Sequence, residues 1–180
     1  MTIRFQPLGL ARGDLDALLA LGLRYDKRQK KQLLAAGARP VLPTEADVRA
    51  FEADIGYALP PDYRAFLLVT NGGAPDPHVV AIPGRGDAVV RHCFALLSPA
   101  RDLTLGHQRD VYAARIPAWM LPIADDPAGN RFLIDLRSGA GHGHVHFWDH
   151  EEEADGEVLP WLANIHRVAD GFGDFLSRLR

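Results

Sequence analysis

Apolar residues spaced at helical intervals predict a first short helix in the main part of the chain. Val48, Phe51 and Ile55 fall on one face, and charged residues occupy the positions between them. Thr44 is a good N-cap because its hydroxyl can accept a hydrogen bond from the first turn, and Gly56 suits the left-handed end of a helix. The pattern therefore predicts a capped amphipathic helix between these two residues.

A second helix is predicted directly after it. Pro61 favours a helix start, because the first helical position needs no backbone N–H. Tyr63, Phe66 and Leu67 line the inner face. The sequence Asn-Gly-Gly at 71–73 offers the left-handed conformations with which a helix ends, so the chain is expected to turn sharply there.

Beyond residue 73 the apolar runs become short and alternate with polar residues, which is typical of strands. Turn-forming sequences separate them, and residues 101–114 have the spacing of a connecting helix. The last part of the pattern predicts a three-stranded antiparallel meander, then an edge strand or linker at 165–169 and a final helix from Phe172. The predicted strands are 78–82, 89–97, 119–124, 131–137 and 144–148.

The first part of the chain is predicted to be an N-terminal extension of this domain. Gly13 to Ala36 has an amphipathic helical pattern with a break near Gly22. We predict an N-terminal helical extension and linker over residues 1–43 and a main domain over residues 44–180. A basic run within the extension is either a contact patch for an anion or a solvated helix face. It consists of Lys27, Arg28, Lys30 and Lys31.

Composition narrows the class of protein. The 180 residues are 47% hydrophobic and 24% charged, as in an ordinary globular domain. A net charge of -3 argues against direct binding to nucleic acid. Cys93 is the single cysteine, so a disulfide scaffold is excluded and a buried, inert thiol is expected. The chain shows no signal peptide and no apolar stretch of membrane-spanning length, so we predict a cytoplasmic protein without membrane contact.

The two helices and their turn resemble the signature of the SUKH superfamily, which includes bacterial immunity proteins and a fungal cell-wall synthesis regulator. The later strand, Gly-Asn turn, strand and Trp-Asp-His ending resemble the same family. This resemblance implies a single α+β domain with a largely antiparallel sheet flanked by helices. The signature residues are Glu52, Ile55, Gly56, Leu59, Pro60, Asp62, Tyr63, Phe66, Leu67, Asn71, Gly72 and Gly73.

The resemblance also implies a function. We expect a non-catalytic immunity protein that binds and neutralises a cognate toxin and needs no cofactor. The alternative is a regulatory or scaffolding module that binds another protein, and the sequence leaves the oligomeric state and the identity of the partner open.

Acidic residues around the loops and strand ends of the meander are the candidate partner-binding residues. We expect Asp125 and Asp126 to lie in a solvated turn. Exposed carboxylates would steer a basic partner and could mimic phosphate for a toxin that processes nucleic acid. The set is Asp125, Asp126, Asp135, Asp149, Glu151, Glu152 and Glu153, and the run continues to Asp155 and Glu157.

A third hypothesis is a metal-dependent hydrolase. His144 and His146 would share one face of a strand, and Asp149 and His150 follow closely. The three-residue step from His146 to Asp149 reverses the side-chain direction within a regular strand, so packed or exposed sheet histidines are favoured. No nucleophile motif is present, and we assign no catalytic residue.

Overall fold

The computed structural model describes residues 2–38, 41–153 and 162–180. Within these ranges the chain has an α+β fold, as predicted, with two short 3-10 helices in addition to the regular elements. The helices are α1 Arg12–Ala20, α2 Lys27–Ala38, α3 Glu45–Ile55, α4 Pro61–Val69, α5 Leu105–Tyr112 and α6 Phe172–Ser177. The strands are β1 Arg4–Gln6, β2 Ala74–Asp76, β3 Val79–Ile82, β4 Gly86–Val89, β5 His92–Cys93, β6 Met120–Asp125, β7 Arg131–Asp135, β8 Val145–Trp148 and β9 Ile165–Ala169.

A five-stranded antiparallel sheet forms the centre of the fold, with its strands in sequence order from β5 to β9. The predicted meander is β6–β7–β8, and the predicted edge strand at 165–169 is β9. Two further antiparallel pairs are β1 with β2 and β3 with β4. Short connections bring β3 to β4, β6 to β7 and β7 to β8 at little entropic cost. Longer stretches of chain separate the strands of the other three pairs, β1 and β2, β5 and β6, and β8 and β9.

The capped helix pair forms as predicted. The Thr44 side chain accepts a hydrogen bond from the Asp47 amide, and the Asp47 carboxylate accepts one from the Thr44 amide at 2.7 Å. Gly56 ends α3 with a left-handed φ of 75°, and Pro61 opens α4. All these interactions lie within a few residues of one another, which is why the local pattern was sufficient to predict them.

The turn after α4 connects three parts of the molecule. Asn71 has a left-handed φ of 55° and is buried. Its side chain donates hydrogen bonds to the carbonyl groups of Val41 and Leu97 and accepts one from the Leu96 amide at 2.7 Å. Gly72 packs directly on the backbone of Cys93, since an added Cβ would lie 2.7 Å from that carbonyl oxygen.

The main core lies between α4, α6 and one face of the sheet. The rings of Phe66 and Phe172 are 4.7 Å apart, and those of Phe132 and Phe175 are 5.2 Å apart. Cys93 is fully buried there, as expected. Part of the opposite face carries a smaller cluster around Trp148.

The N-terminal part differs from the prediction in detail. The break near Gly22 is confirmed, because α1 and α2 are separate helices and Gly22 has a φ of 90°. Strand β1 was not predicted, and it pairs with β2. Three residues are too few for a periodic pattern to identify a strand. The domain boundary at Thr44 stays a prediction, and Pro40, in the predicted linker, lies outside the described residues.

Two other predicted elements are shorter in the structure. The extended run at 89–97 contributes only β5 to the main sheet, and the predicted helix at 101–114 is a 3-10 turn followed by α5. Among the described residues, no helix is long and apolar enough to span a membrane.

Candidate functional site

A cleft of about 400 Å³ lies between the β3–β4 hairpin and the turn that joins β6 to β7. The end of β8 completes its wall. Its polar lining comes from Arg85 and Asp87 on the hairpin, Asp126 and Asn130 in the turn, and Asp149 after β8. Two of these, Asp126 and Asp149, belong to the predicted acidic set.

Arg85 crosses this cleft from the tip of the hairpin. Its backbone N–H donates to the Ile82 carbonyl at 3.0 Å, which closes the hairpin turn at Gly84-Arg85-Gly86. Its guanidinium group forms ion pairs with Asp149 and, at 2.8 Å, with Glu152. The hairpin is thereby tied to the segment that follows β8.

The β6–β7 turn is held by a chain of hydrogen bonds. Asp126 accepts from the Asn130 amide at 2.7 Å and from its Nδ2 at 2.8 Å. Asn130 Oδ1 in turn accepts from the His150 amide at 3.0 Å, and His150 Nε2 lies 2.8 Å from the Ala128 carbonyl oxygen. These bonds fix the turn against the end of β8, so the cleft is pre-formed.

The prediction that Asp125 and Asp126 lie in a solvated turn is wrong, because both are buried, and Asp135 and Asp149 are buried as well. Their relative exposures are 3% for Asp125, 5% for Asp126, 2% for Asp135 and 8% for Asp149. A buried carboxylate needs hydrogen bonds or a cation nearby, and each of these has them. Asp125 and Asp149 pair with arginines from distant parts of the chain, which the sequence pattern could not show. Asp126 and Asp135 are held by near neighbours, Asn130 and Arg137.

Asp125 illustrates the arrangement. Its carboxylate pairs with the Arg91 guanidinium and accepts a hydrogen bond from the His92 amide at 3.0 Å. Burial raises the pKa of Asp125, but the hydrogen bonds and charges of His92 and Arg91 outweigh that effect and hold the pKa below its usual range. Asp125 is not among the residues that line the cleft.

The Asp135 carboxylate also has its partner within the molecule. It pairs with Arg137 at 2.6 Å. Burial opposes ionisation, yet the bonds from Arg137 hold the pKa of Asp135 below its usual range. Arg137 also lies over the ring of Trp119, with the guanidinium carbon 3.5 Å from the ring centroid.

The glutamates after β8 divide into two kinds. Glu151 and Glu152 are exposed beside the cleft, whereas Glu153 is held by Arg115 through bonds of 2.7 and 3.0 Å. The continuation of the acidic run to Asp155 and Glu157 lies outside the described residues.

The cleft keeps a negative charge in spite of its internal ion pairs. Five carboxylates lie in or beside it, and two arginines balance part of their charge: Arg85 and Arg180, the second of which pairs with Asp87 at 2.6 Å. A third arginine, Arg131, donates to the carbonyl groups of Gly129 and Asn130 in the same turn at 2.8 Å, so among the described residues these groups leave two net negative charges. The five carboxylates are those of Asp87, Asp126, Asp149, Glu151 and Glu152.

The candidate metal ligands do not converge. His144 and His146 lie side by side with ring centroids 6.4 Å apart, while Asp149 pairs with Arg85 and His150 contacts the Ala128 carbonyl. Within the described ranges, no group of three or more histidine, cysteine, aspartate or glutamate residues is arranged to hold a metal ion. The side-chain direction changes after β8, so Asp149 and His150 do not lie on the same face as His144 and His146.

Most of the chain is similar to known proteins. The model of the SMI1 / KNR4 family (SUKH-1) matches residues 42–178, a range that includes the whole cleft. A protein of Bacillus subtilis (strain 168), described as the SPbeta prophage-derived uncharacterized protein YokK, is 25% identical over 150 residues. That match covers 71% of this chain and 73% of the relative.

Proposed function

This chain belongs to the SMI1 / KNR4 family (SUKH-1), and on that basis we propose that it is a non-catalytic immunity protein that binds and neutralises a cognate bacterial toxin. The observation that carries the proposal is the pre-formed cleft with its net negative charge. Such a surface is suited to a basic partner segment, and proteins that act on nucleic acids present basic residues at their active sites.

The charge of the cleft supports rapid and selective association. Glu151 and Glu152 are exposed at its edge and can meet arginine or lysine side chains of the partner directly. The more buried Asp126 and Asp149 contribute to the negative potential around them. Complementary charge of this kind raises the association rate and disfavours acidic partners.

The internal hydrogen bonds of the cleft support the same proposal. Because Asn130 and Arg85 already hold its walls together, little conformational entropy is lost when a partner binds. We expect an interface of standard size, about 1,600 Å² in total, that extends beyond the cleft.

The test is binding and protection. The toxin domain encoded in the neighbouring reading frame would be co-expressed with this protein, and its association would be measured by surface plasmon resonance at low and high salt. The double variant Glu151→Lys, Glu152→Lys should lower the association rate by about tenfold or more at low salt, with a smaller effect at high salt.

The matched control is Asp14→Lys, Asp16→Lys in α1. It makes the same charge change at exposed positions that precede the family match, and it should leave binding and protection intact. Failure to retain any toxin domain, together with no protection of cells that express one, would contradict the proposal. Specific retention of a protein that is not a toxin would favour the regulatory or scaffolding alternative.

A further inference from the structure

A second cavity, of about 370 Å³, lies between the N-terminal segment and the edge of the main sheet at β5. One wall comes from residues 9–33 and the other from residues 91–103. Its volume is at the lower end of the range for small-molecule sites, roughly 300–1,000 Å³, and such sites are common where two structural units meet.

Close backbone contact holds the N-terminal wall in place. An added Cβ on Gly9 would lie 2.3 Å from the Gly37 nitrogen, and one on Gly37 would lie 2.5 Å from the Leu10 carbonyl oxygen. The Leu10 amide also donates to the Leu33 carbonyl at 3.0 Å. Helix α2 is therefore packed directly on the preceding segment, and backbone contact holds the two parts of the N-terminal wall together.

The lining of this cavity combines apolar and cationic groups. Its apolar surface is formed by leucines from both walls, and its cationic groups are two arginines on the side of the sheet. This combination suits an apolar body that carries an anionic group. The leucines are Leu10, Leu18, Leu33 and Leu103, and the arginines are Arg91 and Arg101.

Arg101 is the better placed cation for a ligand. It is exposed, and within the described part of the chain no carboxylate lies within 4.0 Å of its guanidinium group. Arg91 already pairs with the buried Asp125. Asp102, a carboxylate of the same lining, faces His107 at 3.5 Å.

The surroundings add to the positive potential. The N-terminal half of α2 carries the basic run from Lys27 to Lys31, of which Lys27, Arg28 and Lys31 are exposed. Gln29 and Gln32 of the same helix line the cavity, so these positive charges can attract an anion towards it without contacting the anion.

We propose that this cavity binds a small organic anion with an apolar body, and that Arg101 contacts its anionic group. The site is separate from the proposed toxin-binding cleft, because the two share no lining residue. Its N-terminal wall precedes residue 42, where the family match begins, so the site goes beyond the function proposed from family membership.

The test uses two fluorescent probes of similar shape with the full-length protein. One is 8-anilinonaphthalene-1-sulfonate, which carries a negative charge, and the other is N-phenyl-1-naphthylamine, which does not. We expect saturable one-site binding of the sulfonate and about tenfold weaker binding of the neutral probe, because one charge-assisted hydrogen bond is lost.

Three variants locate the site. Arg101→Gln should weaken binding of the sulfonate about tenfold and leave the neutral probe unchanged. Leu18→Trp should weaken the binding of both probes, because the larger side chain occupies the cavity. Arg28→Gln is the control, because it removes the same charge from an exposed position of α2 outside the lining. It should change the dissociation constant of neither probe by more than about twofold.

Circular dichroism of each variant would establish that the fold is retained. The proposal is overturned if the sulfonate shows no saturable binding, if the neutral probe binds equally well, or if Arg101→Gln and Arg28→Gln have the same effect.

Discussion

Arg85 at the tip of the β3–β4 hairpin forms an ion pair with Asp149, which lies 64 residues further along the chain at the end of β8. The β3–β4 hairpin is not part of the five-stranded sheet. The ion pair therefore helps to fix the hairpin beside that sheet. Asp149 is buried, and it depends on Arg85 for its opposite charge. The same pair forms one side of the acidic cleft.

Substitution Arg85→Gln is expected to loosen the hairpin and destabilise the protein, because Asp149 would be left as a buried carboxylate without its cation. Urea denaturation should show a lower midpoint, and hydrogen exchange should become faster in β3 and β4. Arg180→Gln is the control, since its partner Asp87 on the same hairpin is half exposed. Equal midpoints for the two variants would contradict this account.

Substitution Asn71→Ala is expected to cost about 2–4 kcal/mol in the free energy of unfolding. The variant leaves the Leu96 amide without its acceptor and places alanine at a left-handed φ. Chemical denaturation would measure the loss. Gly56→Ala is the comparison, because it has a left-handed φ without any neighbouring atom within 4 Å, and it should cost about 1 kcal/mol. A cost for Asn71→Ala no larger than that would mean the side-chain bonds contribute little.

The stability of the protein should fall on acidification through Asp125. Because the folded state holds the pKa of Asp125 below its usual range, the carboxylate contributes stability above the unfolded-state pKa of about 3.9. That contribution is lost as the pH falls from about 4 through the folded-state pKa.

The measurement is the free energy of unfolding between pH 7 and pH 2. Asp125→Asn should be less stable at pH 7 and should depend less on pH in the acidic range. Asp16→Asn, which removes a carboxylate from an exposed position of α1, should follow the parent curve. An unchanged slope for Asp125→Asn would count against the role assigned to its partners.

The Cys93 thiol should not react in the folded protein. Burial, followed by the nearby charge of Asp125, raises its pKa to about 12, and the thiolate is the reactive form. With a disulfide reagent at pH 8 we expect no labelling over hours under native conditions and one thiol per chain in urea. Rapid labelling of the native protein would show that the region around β5 opens readily.

The helix pair shows how much the local pattern can predict. Thr44 and Asp47 are three residues apart, so the capping box follows from geometry within one helical turn. The meander is similar, because β6, β7 and β8 are joined by turns that the sequence marks with glycine and asparagine. In both cases the interacting residues are close in sequence, and the pattern predicted the structure.

The acidic residues show where local pattern fails. The exposure of a carboxylate near a turn depends on what packs over it, and Asp125 and Asp149 are covered by segments that contain Arg91 and Arg85. Their positions in the sequence are compatible with a solvated loop or with a buried ion pair. Strand β1 was missed for a related reason, since three residues become a strand only through pairing with β2.

The sequence by itself determined the capped helices and the meander, because these depend on periodicity and on contacts between near neighbours, and its resemblance to a family signature indicated the family and the fold class. Only the tertiary structure decided which of the predicted carboxylates face solvent and which are neutralised within the molecule. It also decided that the N-terminal segment and the β5 edge enclose a cavity. These features depend on contacts between residues tens of positions apart, and such contacts leave no periodic pattern in a single sequence.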